Sequence, residues 1–242
     1  NHMYLLRAKT VNTLFSNRIE ESTTWSKKLN GKPNYKFYID NKNIAWMNGK
    51  KWFPIGLYFQ TSSDEDLDYL KGSAFNVVKI PRSPKKTIEK IHTYTNGQIY
   101  VINSLGIIYT NKTLPQIRNE TMTVIEQVKD ANGLIGYYNA DEPSISNLRR
   151  IREATLTIRE LDKDKFVWPA LVKTQYWHQW KELFDVGGID CYPVQNFEEL
   201  HDIWVITKRA RNLVLDSKPI WGIPQFFTWE LYYPNKNFGG PP

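Results

Sequence analysis

A single cysteine, Cys191, in 242 residues excludes an internal disulfide. It follows Asp190 in an apolar stretch and reads as a small buried hydrophobe, because no base stands near it in sequence to make it a nucleophile. Histidine is equally scarce. His2, His92, His178 and His201 show no metal-ligand spacing, so no metal is expected, and nothing in the sequence calls for a cofactor. No apolar run approaches the roughly 18 residues that cross a bilayer, so no membrane span is expected. Asn1-His2-Met3 reads as an added remnant or as the start left after a removed segment, so no secretory signal is legible there. Long basic runs are absent too. The net charge of +7 comes from 32 Lys and Arg against 25 Asp and Glu. The basic residues are scattered in pairs such as Lys27-Lys28, Lys50-Lys51 and Arg149-Arg150, as on solvated faces, which argues against a nucleic-acid partner.

What is present is a rhythm. Residues 1–34 read as polar and irregular, with a short helical candidate near the start. Tyr35–Ile39, Ile44–Met47 and Lys50–Phe53 then read as strands, the last two joined by the hairpin signal Asn48-Gly49. From Phe53 onward, short β-branched and aromatic runs alternate with amphipathic segments. The runs are Phe53–Phe59, Phe75–Ile80, Ile99–Leu105, Leu134–Tyr138, Phe166–Leu171, Val186–Cys191 and Ile220–Phe226. Between them lie helical patterns at Asp64–Lys71, Lys85–Tyr94, Gln116–Asp130, Ser144–Leu161, Gln175–Phe184 and Glu198–Leu215. Ser63 stands where a helix cap belongs, and Pro84 and Pro143 where a first helical turn tolerates a missing N–H. Strand–helix alternation implies an α/β fold with a parallel sheet, and about 250 residues is the usual size of a (β/α)8 barrel. Seven strands are counted, so the last β/α unit is expected to lie beyond this chain. The expected layout is an irregular segment and β-hairpin over residues 1–52 and the barrel over 53–242.

Asp141-Glu142-Pro143 follows the apolar run Leu134–Tyr138, where barrel enzymes gather reactive groups at strand C-termini. A carboxyl shielded by neighbours such as Tyr137, Tyr138 and Trp168 gains a raised pKa and can donate a proton. The alternative is that Asp141 caps the helix beginning near Pro143, with Glu142 in its first turn.

Five motifs in order carry a family resemblance: Asn48-Gly49-Lys50-Lys51-Trp52-Phe53-Pro54-Ile55-Gly56-Leu57-Tyr58, Ala74–Val78, Gly136–Pro143, Gly188–Pro193 and Lys218–Gln225. Together they resemble the clan-A glycoside hydrolases over roughly residues 35–230. The resemblance implies a glycosidase acting on a polysaccharide or glycan, with Glu142 as general acid/base. It places a nucleophilic Glu at the end of strand seven, where this chain carries Pro224-Gln225. Asp190, ending strand six, is then the next candidate for a second carboxylate; its other reading is an anchor for the Tyr192-Pro193 turn. The Asp141-Glu142 pair also resembles that of β-hexosaminidase-type enzymes, in which the Asp orients a substrate acetamido group.

Sugar rings stack on aromatic side chains, and 14% of this chain is aromatic. Tyr58, Tyr138, Trp168, Tyr192, Phe227 and Trp229 fall near strand ends, as do the hydrogen-bonding Gln60, Lys79, Arg82, Asn103, Asn139 and Gln225. Lys79 and Arg82 are the reason to consider an anionic sugar. The competing expectation is an inactive barrel that binds glycan or serves a surface assembly, with other protein chains closing or extending it. Asn111-Lys112-Thr113 and Asn119-Glu120-Thr121 are glycosylation acceptors if the protein is extracellular or at the cell surface.

Overall fold

The structure, a computed structural model, describes residues 36–60, 62–172, 175–192 and 201–224, and the backbone alone of 2–11, 19–28 and 174. Strands β1 (His2–Val11) and β2 (Ile19–Lys28) form an antiparallel pair with Leu5 opposite Trp25 and Lys9 opposite Glu21. This corrects the irregular reading of residues 1–34. The Thr, Trp and Ile of β2 favour extended backbone, and the polar alternation that resembles loop here belongs to a two-stranded ribbon.

β3 (Phe37–Ile39), β4 (Ala45–Met47) and β5 (Lys50–Lys51) form a three-stranded antiparallel sheet. Asn48 and Gly49 make its tight turn with φ of 49° and 76°. Two successive left-handed residues are what a right-twisted two-residue hairpin requires.

Seven strands then form one sheet in sequence order, each parallel to the next. They are β6 (Gly56–Tyr58), β7 (Val77–Ile80), β8 (Tyr100–Ser104), β9 (Leu134–Asp141), β10 (Phe166–Ala170), β11 (Gly187–Cys191) and β12 (Ile220–Pro224). The helices between them are α1 (Asp64–Leu70), α2 (Lys85–Tyr94), α3 (Leu114–Val128), α4 (Leu148–Leu161), the short α5 (Trp177–Trp180) and α6 (His201–Leu213). Ser63 caps α1 by accepting the Asp66 N–H, and Thr113 with Gln116 forms a capping box on α3. Pro143 lies outside the first helical turn, just before its cap, rather than in it. Ser144 caps a 3-10 turn, Ile145–Asn147, that precedes α4. The segment expected as one helix over Gln175–Phe184 is α5 flanked by two 3-10 turns.

Side chains alternate between two layers. Val78, Val101, Tyr137, Val167 and Ile189 pack outward against the helices. Val77, Tyr100, Tyr138, Phe166, Trp168 and Ile223 point into the curl of the sheet, where Phe37, Ala45 and Met47 of the small sheet join the same cluster. Fully burying each large aliphatic or aromatic side chain contributes roughly 1.5–3 kcal/mol, so this double burial holds the sheet rigid. The seven C-terminal strand ends share one rim.

A candidate carboxylate site at the strand ends

β9 delivers the acidic corner, and an irregularity in pairing aims it. Trp168 pairs with Tyr138, but Ala170 pairs with Asp141, so β9 carries one extra residue over that interval. A bulge of this kind re-aims side chains at the end of a strand. The Glu142 N–H donates to the Ala170 carbonyl at 3.0 Å while Glu142 itself sits at φ 39°. A non-glycine residue in this left-handed region is held at a cost of about 1–2 kcal/mol. Asp141 does not cap a helix. Its Oδ1 accepts the Tyr138 hydroxyl at 2.7 Å, and Tyr138 accepts in turn from Tyr58 at 3.2 Å.

Asp190 comes up beside this corner on the inward face of β11. It is buried, with its Oδ1 lacking any hydrogen-bond donor among the described residues. Burial pushes its carboxyl pKa well above the ordinary range, and the Glu142 carboxylate, within hydrogen-bonding reach, pushes it further. Burial and the neighbouring Glu142 thus both favour the protonated form of Asp190.

Aromatic rings wall the site. Trp168 lies 5.4 Å from Tyr138, 6.0 Å from Tyr58 and 6.1 Å from Trp221, between ring centroids. Gly188 makes room for this indole: a Cβ there would fall 2.7 Å from Trp168 Nε1 and 2.6 Å from the Pro169 carbonyl. Trp168 Nε1 is buried without a partner among the described residues, so an unpaired donor and an unpaired acceptor stand on the same interior face. Lys79 places its Nζ 4.7 Å from the Tyr58 ring centre and 4.6 Å from that of Tyr138. Burial lowers its pKa, opposed by the charge of Asp141. Burial also raises the Tyr58 and Tyr138 phenols, and Asp141 adds to both shifts, so they remain neutral donors.

Two cavities meet at Pro143. The larger, about 340 Å³, is lined by Lys79, Ser104, Tyr138, Asp141, Asn147 and the loop from Gly106 to Tyr109, among others. The smaller, about 160 Å³, is lined by Glu142, Pro143, Leu171, Val172 and Trp180.

The structure thus brings together Tyr58, Lys79, Tyr138, Asp141, Glu142, Trp168 and Asp190. Tyr192 stands half-buried at the end of β11, close enough to act on the Tyr58 phenol. Two expected residues face elsewhere. Asn103 is fully buried; its amide donates to the Ser83 carbonyl and accepts the Ser83 N–H, tying down the loop after β7. Asn139 donates to Thr155 on α4. Arg82 and Gln60 are exposed on the rim, Arg82 against Gly106. Gln225, Phe227 and Trp229 lie outside the described residues. Trp221 and the apolar wall Leu171, Val172 and Trp180 were not expected at the site. Trp221 carried a signal in its strand-seven motif, whereas the wall depends on how the loop after β10 folds back.

No protein-family model matches the sequence, and no curated protein matches it either. Solved structures do. A β-glucuronidase from Parabacteroides merdae matches with TM-score 0.60 at 10% identity, over 91% of this chain and 30% of its own. A β-glucuronidase from an uncultured Clostridium matches with TM-score 0.58 at 15% identity, over 90% and 41%. The fold is similar to part of the barrel of these glycoside hydrolases. A further structure described as a glycoside hydrolase matches with TM-score 0.63 at 13% identity, over 79% of this chain and 56% of its own. The chain therefore spans less than two thirds of the length of each of these glycosidases. What is shared at these identities is an α/β architecture whose seven parallel strands make a half-barrel, beside a separate three-stranded antiparallel sheet.

Proposed function

We propose that this barrel hydrolyses a glycosidic bond in a glycan, with Glu142 as general acid/base and Asp190 as the second carboxylate. The observation that carries the reading is the meeting of the buried Asp190 with the exposed Glu142 at the ends of β11 and β9. Such a pair supplies an acid and an anion at once. Retaining glycosidases keep their two carboxyls about 5–5.5 Å apart and inverting ones about 6.5–9.5 Å, so two carboxyls in hydrogen-bonding contact leave no room for a scissile bond. Asp190, whose pKa is raised, holds the proton at rest and passes it to Glu142, which is exposed and rotates away with it. Glu142 then donates to the leaving oxygen, and Asp190 remains behind as the carboxylate facing the positive charge that develops on the sugar ring. Tyr58, 38% exposed, offers a face for the ring, backed by the buried Tyr138 and Trp168, and Lys79 is placed to receive a hydroxyl or a carboxylate of the sugar.

Extracellular or surface localisation belongs to this same reading, and Asn111 and Asn119, both exposed, would then carry glycans. So does an eighth β/α unit, or another chain, closing the sheet between β6 and β12.

A second reading, a barrel that binds glycan without cleaving it, draws on the contact between the two carboxyls and on Gln225 where a nucleophilic Glu would stand. A panel of oligosaccharides and polysaccharides, assayed for released reducing ends and for binding, separates the two. Product supports hydrolysis. Binding to members of the panel with no product from any of them supports the second reading.

A further inference from the structure

The chemistry of the Asp190–Glu142 pair leaves the amine of Lys79 without a covalent part. Lys79, on β7, lines the cavity of about 340 Å³ that also holds Asp141. Its Nζ lies against the rings of Tyr58 and Tyr138, 4.7 and 4.6 Å from their centres. Asp141 reaches it through charge but not through a hydrogen bond. Two ring faces therefore position an amine that opens on a cavity and that no carboxylate of the described residues grips. Burial favours its neutral form.

A lysine amine that is partly desolvated and neutral for part of the time attacks carbonyl carbon. Beside it, a chain of hydroxyls runs from Tyr58 through Tyr138 to Asp141. Ser104 and Asn147 line the same cavity with hydrogen-bonding groups, which suits a carbonyl compound that carries hydroxyls of its own. Lys218 provides a contrast. Burial lowers its pKa too, but it lines neither of the two cavities.

We infer that Lys79 forms an imine with a hydroxyaldehyde, the open-chain form of a small sugar. The nitrogen lone pair bonds to the carbonyl carbon, and a proton moves from nitrogen to the carbonyl oxygen to give a carbinolamine. That hydroxyl leaves as water with the second nitrogen proton as the C=N bond forms. Amine and aldehyde thus give imine and water, with no oxidant or reductant. The hydroxyl chain ending at Asp141 is placed to relay both protons. The inference goes beyond the glycosidase reading and stands without it, because imine formation uses no glycosidic bond and neither carboxyl of the Asp190–Glu142 pair.

The test is reductive trapping of glyceraldehyde on the full chain with cyanoborohydride near neutral pH, the rate at each lysine being read by peptide mass spectrometry. Lys79 should be labelled faster than the exposed Lys86 and Lys163, and faster than Lys218, by roughly tenfold or more. Unfolding in urea should remove the preference. A smaller preference, or one that persists in the unfolded chain, would overturn the inference, and either can occur in a protein that still cleaves glycans. Propionaldehyde, which lacks the hydroxyls, should show a weaker preference for Lys79 than glyceraldehyde does. An equal preference would overturn the assignment to hydroxyaldehydes.

Discussion

The carboxyl of Asp190, buried on the inner face of β11, lies within hydrogen-bonding reach of the carboxyl of Glu142 at the exposed end of β9. No hydrogen-bond donor among the described residues serves Asp190 Oδ1, and burial together with Glu142 favours a proton on Asp190.

That proton makes stability depend on pH. The folded-state pKa of Asp190 is pushed up from 3.8 to about 8, by burial first and by Glu142 second. Between these values the folded protein binds more protons than the unfolded chain, so stability is highest near the lower value and falls as pH rises through the upper one. The loss should be on the order of a few kcal/mol. Asp190→Asn should flatten this dependence and make the protein more stable than wild type at pH 8.5. Urea unfolding at pH 5, 7 and 8.5 measures both effects.

The left-handed backbone at Glu142 predicts an order of stability among variants. Glycine takes φ of 39° without strain and alanine does not. Glu142→Gly should therefore exceed Glu142→Ala by about 1 kcal/mol, with both inactive. Thermal denaturation of the two variants side by side gives the difference. Equal stabilities would show that the loop relaxes out of the left-handed region.

Lys79 is held between two aromatic rings and partly stripped of water. Lys79→Met keeps the packing and removes the charge. It should leave the melting temperature within a few degrees of wild type and weaken binding of acidic sugars about tenfold, which corresponds to about 1.4 kcal/mol. Calorimetry with a uronic acid and with its neutral counterpart shows whether the loss is specific to charge.

Asn103 predicts the opposite split. Its amide serves the Ser83 backbone from the helix-facing side of β8. Asn103→Ala leaves part-buried backbone groups of Ser83 unpaired and should cost about 1–3 kcal/mol of stability. The KM of the folded variant should stay near that of wild type, as seen by comparing denaturant midpoints with kinetics.

These residues show what the sequence can and cannot convey. The strand–helix rhythm survives in single-chain patterning because each buried strand is β-branched or aromatic and each helix is amphipathic, and Ser63 and Thr113 mark helix starts by side-chain chemistry. Facing is harder. Asn103 and Asn139 lie near strand ends as active-site residues do, yet both point outward to the helix layer. The bulge between β9 and β10 and the left-handed Glu142 follow from strand pairing, to which no local motif corresponds. The same holds for the contact of Asp190 with Glu142, forty-eight positions apart in the chain. The β1–β2 ribbon was missed because its sequence, as in Glu20-Glu21-Ser22-Thr23-Thr24, shows no clear two-residue apolar period.

The central claim is that Glu142 gives the proton that cleaves a glycosidic bond. The most direct measurement is hydrolysis of one substrate by wild type and by Glu142→Gln, with binding of that substrate measured in parallel. Removing a general acid typically costs on the order of 100- to 10,000-fold in rate, so the account predicts a loss of that size in kcat with affinity nearly unchanged. Turnover by Glu142→Gln at the wild-type rate would contradict it.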